Sequence, residues 1–153
     1  MNPLLFLDVD GPLIPFGGRD YEVFTDAELG NPLLARVNPA LGPRLLALGC
    51  DLVWATTWLD EANECVAPLL GLPALPVTTW PDEDDTGLHW KTRRIVECAA
   101  GRPFIWVDDE PTDVDRAWVA DHHPEPALIH TVTAEVGLTA RDFDTISQWL
   151  ARR

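Results

Sequence analysis

Residues 4–11 read LLFLDVDG: four apolar residues without a polar break, then an acid, an apolar residue, a second acid and a glycine. A continuous apolar run of this length suits a strand covered on both faces, and the acids at its tip put polar groups where the strand leaves the core. FIWVDDE at 104–110 repeats the design late in the chain. DLVWAT at 51–56, a short run at 75–79 and an apolar stretch at 127–132 read as further strands.

Helical spacing fills the intervals. Asn38-Pro39 is a capping side chain followed by a proline suited to a first helical turn; Leu41, Leu45 and Leu48 then recur on one face and Gly49 ends the helix. Leu59, Ala62 and Val66 mark a second helix, broken by Pro68 and Gly71. Leu88, Thr92, Ile95, Val96 and Ala99 share a third face, stopped by Gly101 and Pro103. Val114, Ala117 and Trp118 mark a fourth helix, and Phe143, Ile146 and Leu150 the last. About five strands alternating with helices predict an α/β fold, a doubly wound, Rossmann-like parallel sheet with helices on both faces. The expectation is one domain over 1–153, with 12–37 as a short flap bordering the site and only a minimal cap. Ligands of such sheets bind at the carboxyl ends of the strands, where the strand order reverses.

The 153 residues are 46% apolar, enough to bury a core without disulfides or structural metals. No apolar run approaches about eighteen residues, and the N-terminus reaches charge too early for a secretory signal. The protein is expected to be cytoplasmic, with no membrane partner. Cys50, Cys65 and Cys98 are widely spaced and read as buried thiols. Eleven basic against 25 acidic residues give a formal charge of −14, so unaided binding to duplex nucleic acid is not expected. Lys91, Arg93 and Arg94 nevertheless form a small positive patch that suits a phosphorylated end. The acidic run at 81–85 reads as a solvated loop.

Asp8 and Asp10 follow the first strand, Thr56 and Thr57 the second, Lys91 a helix start, and Asp108 and Asp109 the strand at 104–110. Singly, each is commonplace. Together they gather four acids at one sheet edge, where they would repel one another unless a divalent cation held them. A hard, oxygen-seeking ion, Mg2+, is the expected cofactor, with Asp8, Asp10, Asp108 and Asp109 as candidate ligands. Phosphoryl transfer needs a nucleophile, charge neutralisation and a proton donor for the leaving group. Asp8 suits the nucleophile. Asp10, two residues on and therefore on the same side of an extended chain, suits the acid/base. Thr56 suits a hydrogen bond to the phosphoryl group, with help from N–H groups at the following helix start. Lys91 suits charge balance.

These residues resemble, in order over residues 4–110, the four motifs of the haloacid dehalogenase (HAD) superfamily: Asp8-Val9-Asp10-Gly11, a strand ending in Thr56, Lys91, and Val107-Asp108-Asp109. The resemblance implies a phosphoric monoester hydrolase in which Asp8 becomes an aspartyl-phosphate and Asp10 is the acid/base and offers its backbone carbonyl to magnesium. Asp108 or Asp109 then completes the metal site. Gly11, Thr56, Thr57 and Trp58 are implied at the substrate, with Thr56 and Thr57 both open as the phosphate ligand and Asp113 open as a distal acid. Pro12 stands where the family usually has a small residue, and the excursion after it is too short for a large cap. Trp54-Ala55-Thr56-Thr57-Trp58, Asp60-Glu61-Ala62-Asn63 and Trp106-Val107-Asp108-Asp109-Glu110 further resemble the compact HAD domains of multi-domain RNA-repair proteins nicknamed Swiss Army knife proteins. That resemblance implies a phosphorylated nucleic-acid end as substrate, beside the small phosphorylated molecules the superfamily handles.

Two rival readings belong to other classes. A phosphorylation-dependent receiver domain carries a similar residue set, but there the acid pair comes first and the acceptor lies mid-chain. A catalytically silent module of the same fold would use the site for binding, with a partner chain completing the pocket. Trp58 and Trp90, beside the motif loops, are the tryptophans expected nearest substrate; His122-His123 lacks a third metal ligand, His89 is a weak lining candidate and His130 reads as a strand residue.

Overall fold

The computed structural model describes residues 2–25, 30–81 and 87–153. Its sheet has four parallel strands, β1 (Leu4–Leu7), β2 (Asp51–Trp54), β3 (Phe104–Asp108) and β4 (Ala127–Thr131), in the order β2-β1-β3-β4. Burial follows from that order. Every residue of the inner strands β1 and β3 is buried, whereas β2 and β4 at the edges carry exposed positions.

Side chains alternate across a pleated sheet, so each inner strand feeds two cores. Leu5, Leu7, Ile105 and Val107 meet α1 (Leu41–Ala47), α2 (Ala67–Leu70) and α5 (Ala140–Arg152) through Leu45, Leu70, Phe143 and Ile146. Leu4, Phe6, Phe104 and Trp106 meet α3 (Thr92–Ala99) and α4 (Asp113–His122) through Ile95, Ala99 and Val119. Helices thus cover both faces of the doubly wound α/β sheet. α1 packs so closely that a β-carbon on Gly42 would lie 1.7 Å from the Leu70 carbonyl oxygen, which leaves room for glycine alone.

From β1 the chain passes to β2 on one side, then returns to β3 on the other and continues outward to β4. The reversal falls between β1 and β3, whose last paired residues include Leu7 opposite Val107. That junction is where such sheets open a ligand crevice. Asp8 and Asp108 stand at it.

Several expectations need correction. The run at 75–79 is no strand: it makes one parallel bridge, Val77 to Trp54, so the sheet has four strands and not about five. Pro73 and Pro76 supply no N–H and prevent a ladder. Pro68 does not break its helix either. The preceding turn, Ala62–Val66, widens to a π-helix, with Ala67 N–H donating to the Ala62 carbonyl, and Pro68 then sits in the first turn of α2. The wide turn accommodates a ring that would otherwise press on the carbonyl four residues back. In α4 the buried face carries Asp115 and Val119, while Val114 is 59% exposed. Residues 82–85 of the acidic run and 26–29 of the 12–37 excursion lie outside the described residues. Among the described residues, no helix is long and apolar enough to cross a membrane.

Candidate active site

Lys91, at the N-terminal edge of α3 and 2% exposed, drives its ammonium between the two inner strands. Nζ lies 2.8 Å from Asp108 Oδ2, 3.3 Å from Asp8 Oδ1 and 2.8 Å from the Ala55 carbonyl oxygen. Burial alone would lower the Lys91 pKa, but Asp8 and Asp108 outweigh it and raise the value, so the side chain stays charged. Burial pushes the Asp8 carboxyl well above its ordinary range; Lys91 opposes this and Asp108 reinforces it. One ammonium is shared by two carboxylates, and Asp108 holds it more closely.

Asp108 is fully buried and its oxygens are saturated. Oδ1 accepts from the N–H groups of Asp109 and Glu110 at 2.8 and 3.2 Å, while Oδ2 accepts from Lys91 and from Trp106 Nε1 at 3.2 Å. Asp109 is half-exposed, and its carboxyl is pushed up to about 6, first by burial and then by Asp108. It faces Gly11, where φ is +101° and a β-carbon would sit 2.7 Å from Asp109 Oδ1. Glycine is needed there on both counts.

Among the described residues, the carboxylates near enough to share one ion are Asp8, Asp108 and Asp109, with ligand atoms within 4.8 Å of one another. When all three carboxylates are ionised, one ammonium leaves two of their charges uncompensated, and the raised values of Asp8 and Asp109 reflect their burial and that crowding. An oxygen-only donor set with that deficit fits a hard divalent cation such as Mg2+. The Asp10 carboxylate lies outside this trio, so three acids and not the expected four are near enough to share the ion; the backbone carbonyl is what the family resemblance implies for Asp10.

Asp10 accepts at Oδ2 a hydrogen bond of 3.1 Å from Trp58 Nε1. It lines, with Asp8, Phe16, Thr57, Trp90, Lys91, Asp109 and Glu110, a cavity of about 140 Å3. Phe16 brings part of the 12–37 excursion to the site. The adjacent threonines divide: Thr56 is fully buried and its Oγ1 accepts from Trp58 N–H at 3.1 Å, as in a helix-start turn, whereas Thr57 is exposed and lines the cavity. Gly11 borders the site through Asp109. Trp58 touches the site through its N–H on Asp10 while its ring packs on the core.

One functional residue escaped the sequence reading. Asp115, 2% exposed, accepts at Oδ1 from His89 N–H and Thr92 Oγ1, both 2.8 Å, and at Oδ2 from Thr112 N–H at 2.9 Å. It therefore grips the chain on both sides of Lys91. Burial raises its pKa, but hydrogen bonds from Thr112, His89 and Thr92 outweigh that and hold it below the ordinary carboxylate value. Its signal was the Thr112-Asp113-Val114-Asp115 capping box. The acid singled out instead, Asp113, is exposed and pairs with Arg116 at 3.0 Å, away from the site. His89 contributes more than expected: Nδ1 accepts from Lys91 N–H at 3.2 Å, which leaves Nε2 to donate to Glu110 at 3.3 Å.

The remaining candidates serve locally. His122 stacks on Trp118, His123 bonds to the Arg102 carbonyl, and His130 on β4 pairs with Asp142 at 2.7 Å. The three cysteines are unpaired and half-buried, not fully buried as expected, and burial pushes the Cys50 thiol up to about 11.

Comparison with known families matches residues 4–143 to the HAD domain in Swiss Army Knife RNA repair proteins. No curated protein and no solved structure matches the chain. The match covers every strand and each of the four motif positions, and on it the chain belongs to the family of HAD domains found in Swiss Army Knife RNA repair proteins.

Proposed function

We propose that this chain is a magnesium-dependent phosphomonoesterase acting through an aspartyl-phosphate on Asp8, with a nucleotide or a phosphorylated nucleic-acid end as substrate. The observation that carries the reading is the buried trio of Asp8, Lys91 and Asp108 at the mouth of a cavity that Asp10 also lines. Buried ion pairs are poor stabilisers, since desolvation costs several kcal/mol per ion and apolar residues of like volume often serve the fold equally well. Charges held there are explained by chemistry.

Asp8 Oδ1 is occupied by Val9 N–H at 2.8 Å and by Lys91, while among the described residues no hydrogen bond reaches Oδ2. Oδ2 thus keeps its lone pairs free for the ion or for phosphorus. As the Asp8–phosphorus bond forms, the bond to the leaving oxygen breaks, and protonated Asp10 gives that oxygen its proton. Asp10, now a carboxylate, takes a proton from water; the water oxygen attacks phosphorus, phosphate departs and Asp8 is regenerated. Trp58 holds Asp10 in place throughout. Lys91 offsets negative charge on Asp8 and on the equatorial oxygens, and Thr57 is the threonine that lines the cavity. Asp8 and Asp109 would hold magnesium with the Asp10 carbonyl, Asp108 acting from behind. Magnesium held there would offset negative charge on the phosphate and on the carboxylate cluster.

The family's description in RNA repair supports a nucleic-acid end as substrate. The test is magnesium-dependent phosphate release from nucleotides, sugar phosphates and 5′- or 3′-phosphorylated oligonucleotides, run with Asp8→Asn. Release by wild type and none by the variant is expected. Turnover retained in Asp8→Asn would falsify the assigned nucleophile; no release from any substrate favours a silent binding module.

A further inference from the structure

A second cavity of about 430 Å3 adjoins the first, lined by Thr57, Leu59, Thr79, Trp80, Pro81 and Trp90. Thr57 and Trp90 line both cavities, so a group esterified to a phosphate at Asp8 would leave across them. Among the described residues, none of the six that line it is charged.

Two indoles form its corner. The rings of Trp80 and Trp90 meet edge to face, 5.0 Å apart at 81°. Trp80 is anchored by its Nε1 on the Thr56 carbonyl at 3.1 Å, and Trp90 is stacked on His89 at 5.4 Å. Both rings are half-buried and pinned from behind, so the corner is preformed. Leu59 is 41% exposed and held at φ 51°, a left-handed conformation costly for any residue with a β-carbon. It belongs to neither core. The turn that leads into the next helix, where Ala62 N–H donates to the Leu59 carbonyl, thus sets this side chain against the cavity and not in a core.

We infer that this cavity is a nucleobase subsite, which takes the base of the nucleotide whose phosphate is presented to Asp8. A planar heteroaromatic ring stacks on indole faces and tolerates any base identity, and the Thr57 and Thr79 hydroxyls offer hydrogen bonds to its edges. A bare sugar phosphate would leave the indole corner uncovered. The inference rests on the phosphohydrolase reading for where the phosphate lies, and the two can fail separately.

Adenosine, which carries no phosphate, is titrated against ribose into wild type and Leu59→Asp while the indole N–H resonances of Trp80 and Trp90 are followed by NMR. Saturable shifts with adenosine but not ribose, weakened about tenfold in Leu59→Asp, are expected. In parallel, kcat/KM for adenosine monophosphate over ribose 5-phosphate should favour the nucleotide, and that ratio should fall about tenfold in Leu59→Asp, mainly through KM. Equal response to adenosine and ribose, or affinity unchanged by Leu59→Asp, overturns the subsite even where phosphate is released. Adenosine binding weakened by Leu59→Asp without phosphate release supports the subsite and overturns only the assigned chemistry.

Discussion

Trp58 Nε1 donates to Asp10 Oδ2 across 3.1 Å, tying the proposed acid/base to a ring embedded against the core. The bond fixes the carboxyl at the cavity wall and leaves Oδ1 for the leaving group. Trp58→Phe keeps an aromatic ring and removes the donor. It should lower kcat about tenfold, a fraction of what general acid catalysis contributes, with the largest losses on esters of poor leaving groups. A series of aryl phosphates of graded leaving-group pKa checks this; an equal loss across the series would assign Trp58 to packing alone.

Asp108 and Asp109 should separate cleanly on substitution. Asp108→Asn sets an amide against donors that already fill its oxygens, and should cost about 1–3 kcal/mol of stability by urea unfolding. Asp109→Asn should lower magnesium affinity at least about tenfold by calorimetry, since only this half-exposed carboxylate of the pair retains open lone pairs. Because the Asp109 pKa lies up at about 6, the folded state keeps this proton longer than the unfolded chain does. Asp109 therefore makes metal-free wild type lose stability as pH rises from the ordinary carboxylate value through about 6, and Asp109→Asn should lose less over that range, the part carried by the raised Asp8 remaining.

Asp115 carries the opposite sign. Its folded pKa is lowered, so its contribution is full above the ordinary carboxylate value and disappears as pH falls through the folded value. The stability gap between wild type and Asp115→Asn should be clear at neutral pH and shrink in acid, as pH falls below the ordinary carboxylate value. Because Asp115 grips His89 and Thr92 around Lys91, the variant should also lose kcat more than it raises KM. An unaltered kcat would reduce Asp115 to a helix cap.

Asn63 joins three pieces of chain: Oδ1 accepts from Trp54 Nε1 and Leu75 N–H, and Nδ2 donates to the Leu75 carbonyl, all at 2.8 Å. Asn63→Ala strands the N–H of a fully buried tryptophan, and should cost about 1–3 kcal/mol. Hydrogen exchange at Leu75 N–H should accelerate with it. Unchanged exchange there would mean that the bridge of Val77 to Trp54 holds the segment alone.

Much of this molecule was legible in one dimension because its governing patterns are local. LLFL and FIWVD announce fully buried strands, since a strand between two helical layers must be apolar on both faces. Acids at strand ends foretell the site, because parallel strands of one sheet deliver their tips to one edge. The run at 75–79 misled for a local reason as well: its β-prone residues outweighed the prolines that deny it a ladder.

The order of the motif residues anticipated that Asp8, Asp10, Lys91 and Asp109 would meet at one cavity, and the family match over 4–143 spans them. Which oxygen of which acid is available was not readable from that order. Asp108 and Asp109 are chemically identical neighbours, and only packing between Lys91, Trp106 and two backbone N–H groups saturates one and leaves the other open. Thr56 and Thr57 diverge likewise, because the chain turns between them and buries the first. Asp115 lies 24 positions beyond Lys91 and reaches its flanks only once α4 packs beside α3. Residue type and order follow from the chain alone; solvation, hydrogen-bond saturation and long-range approach exist only after it closes on itself.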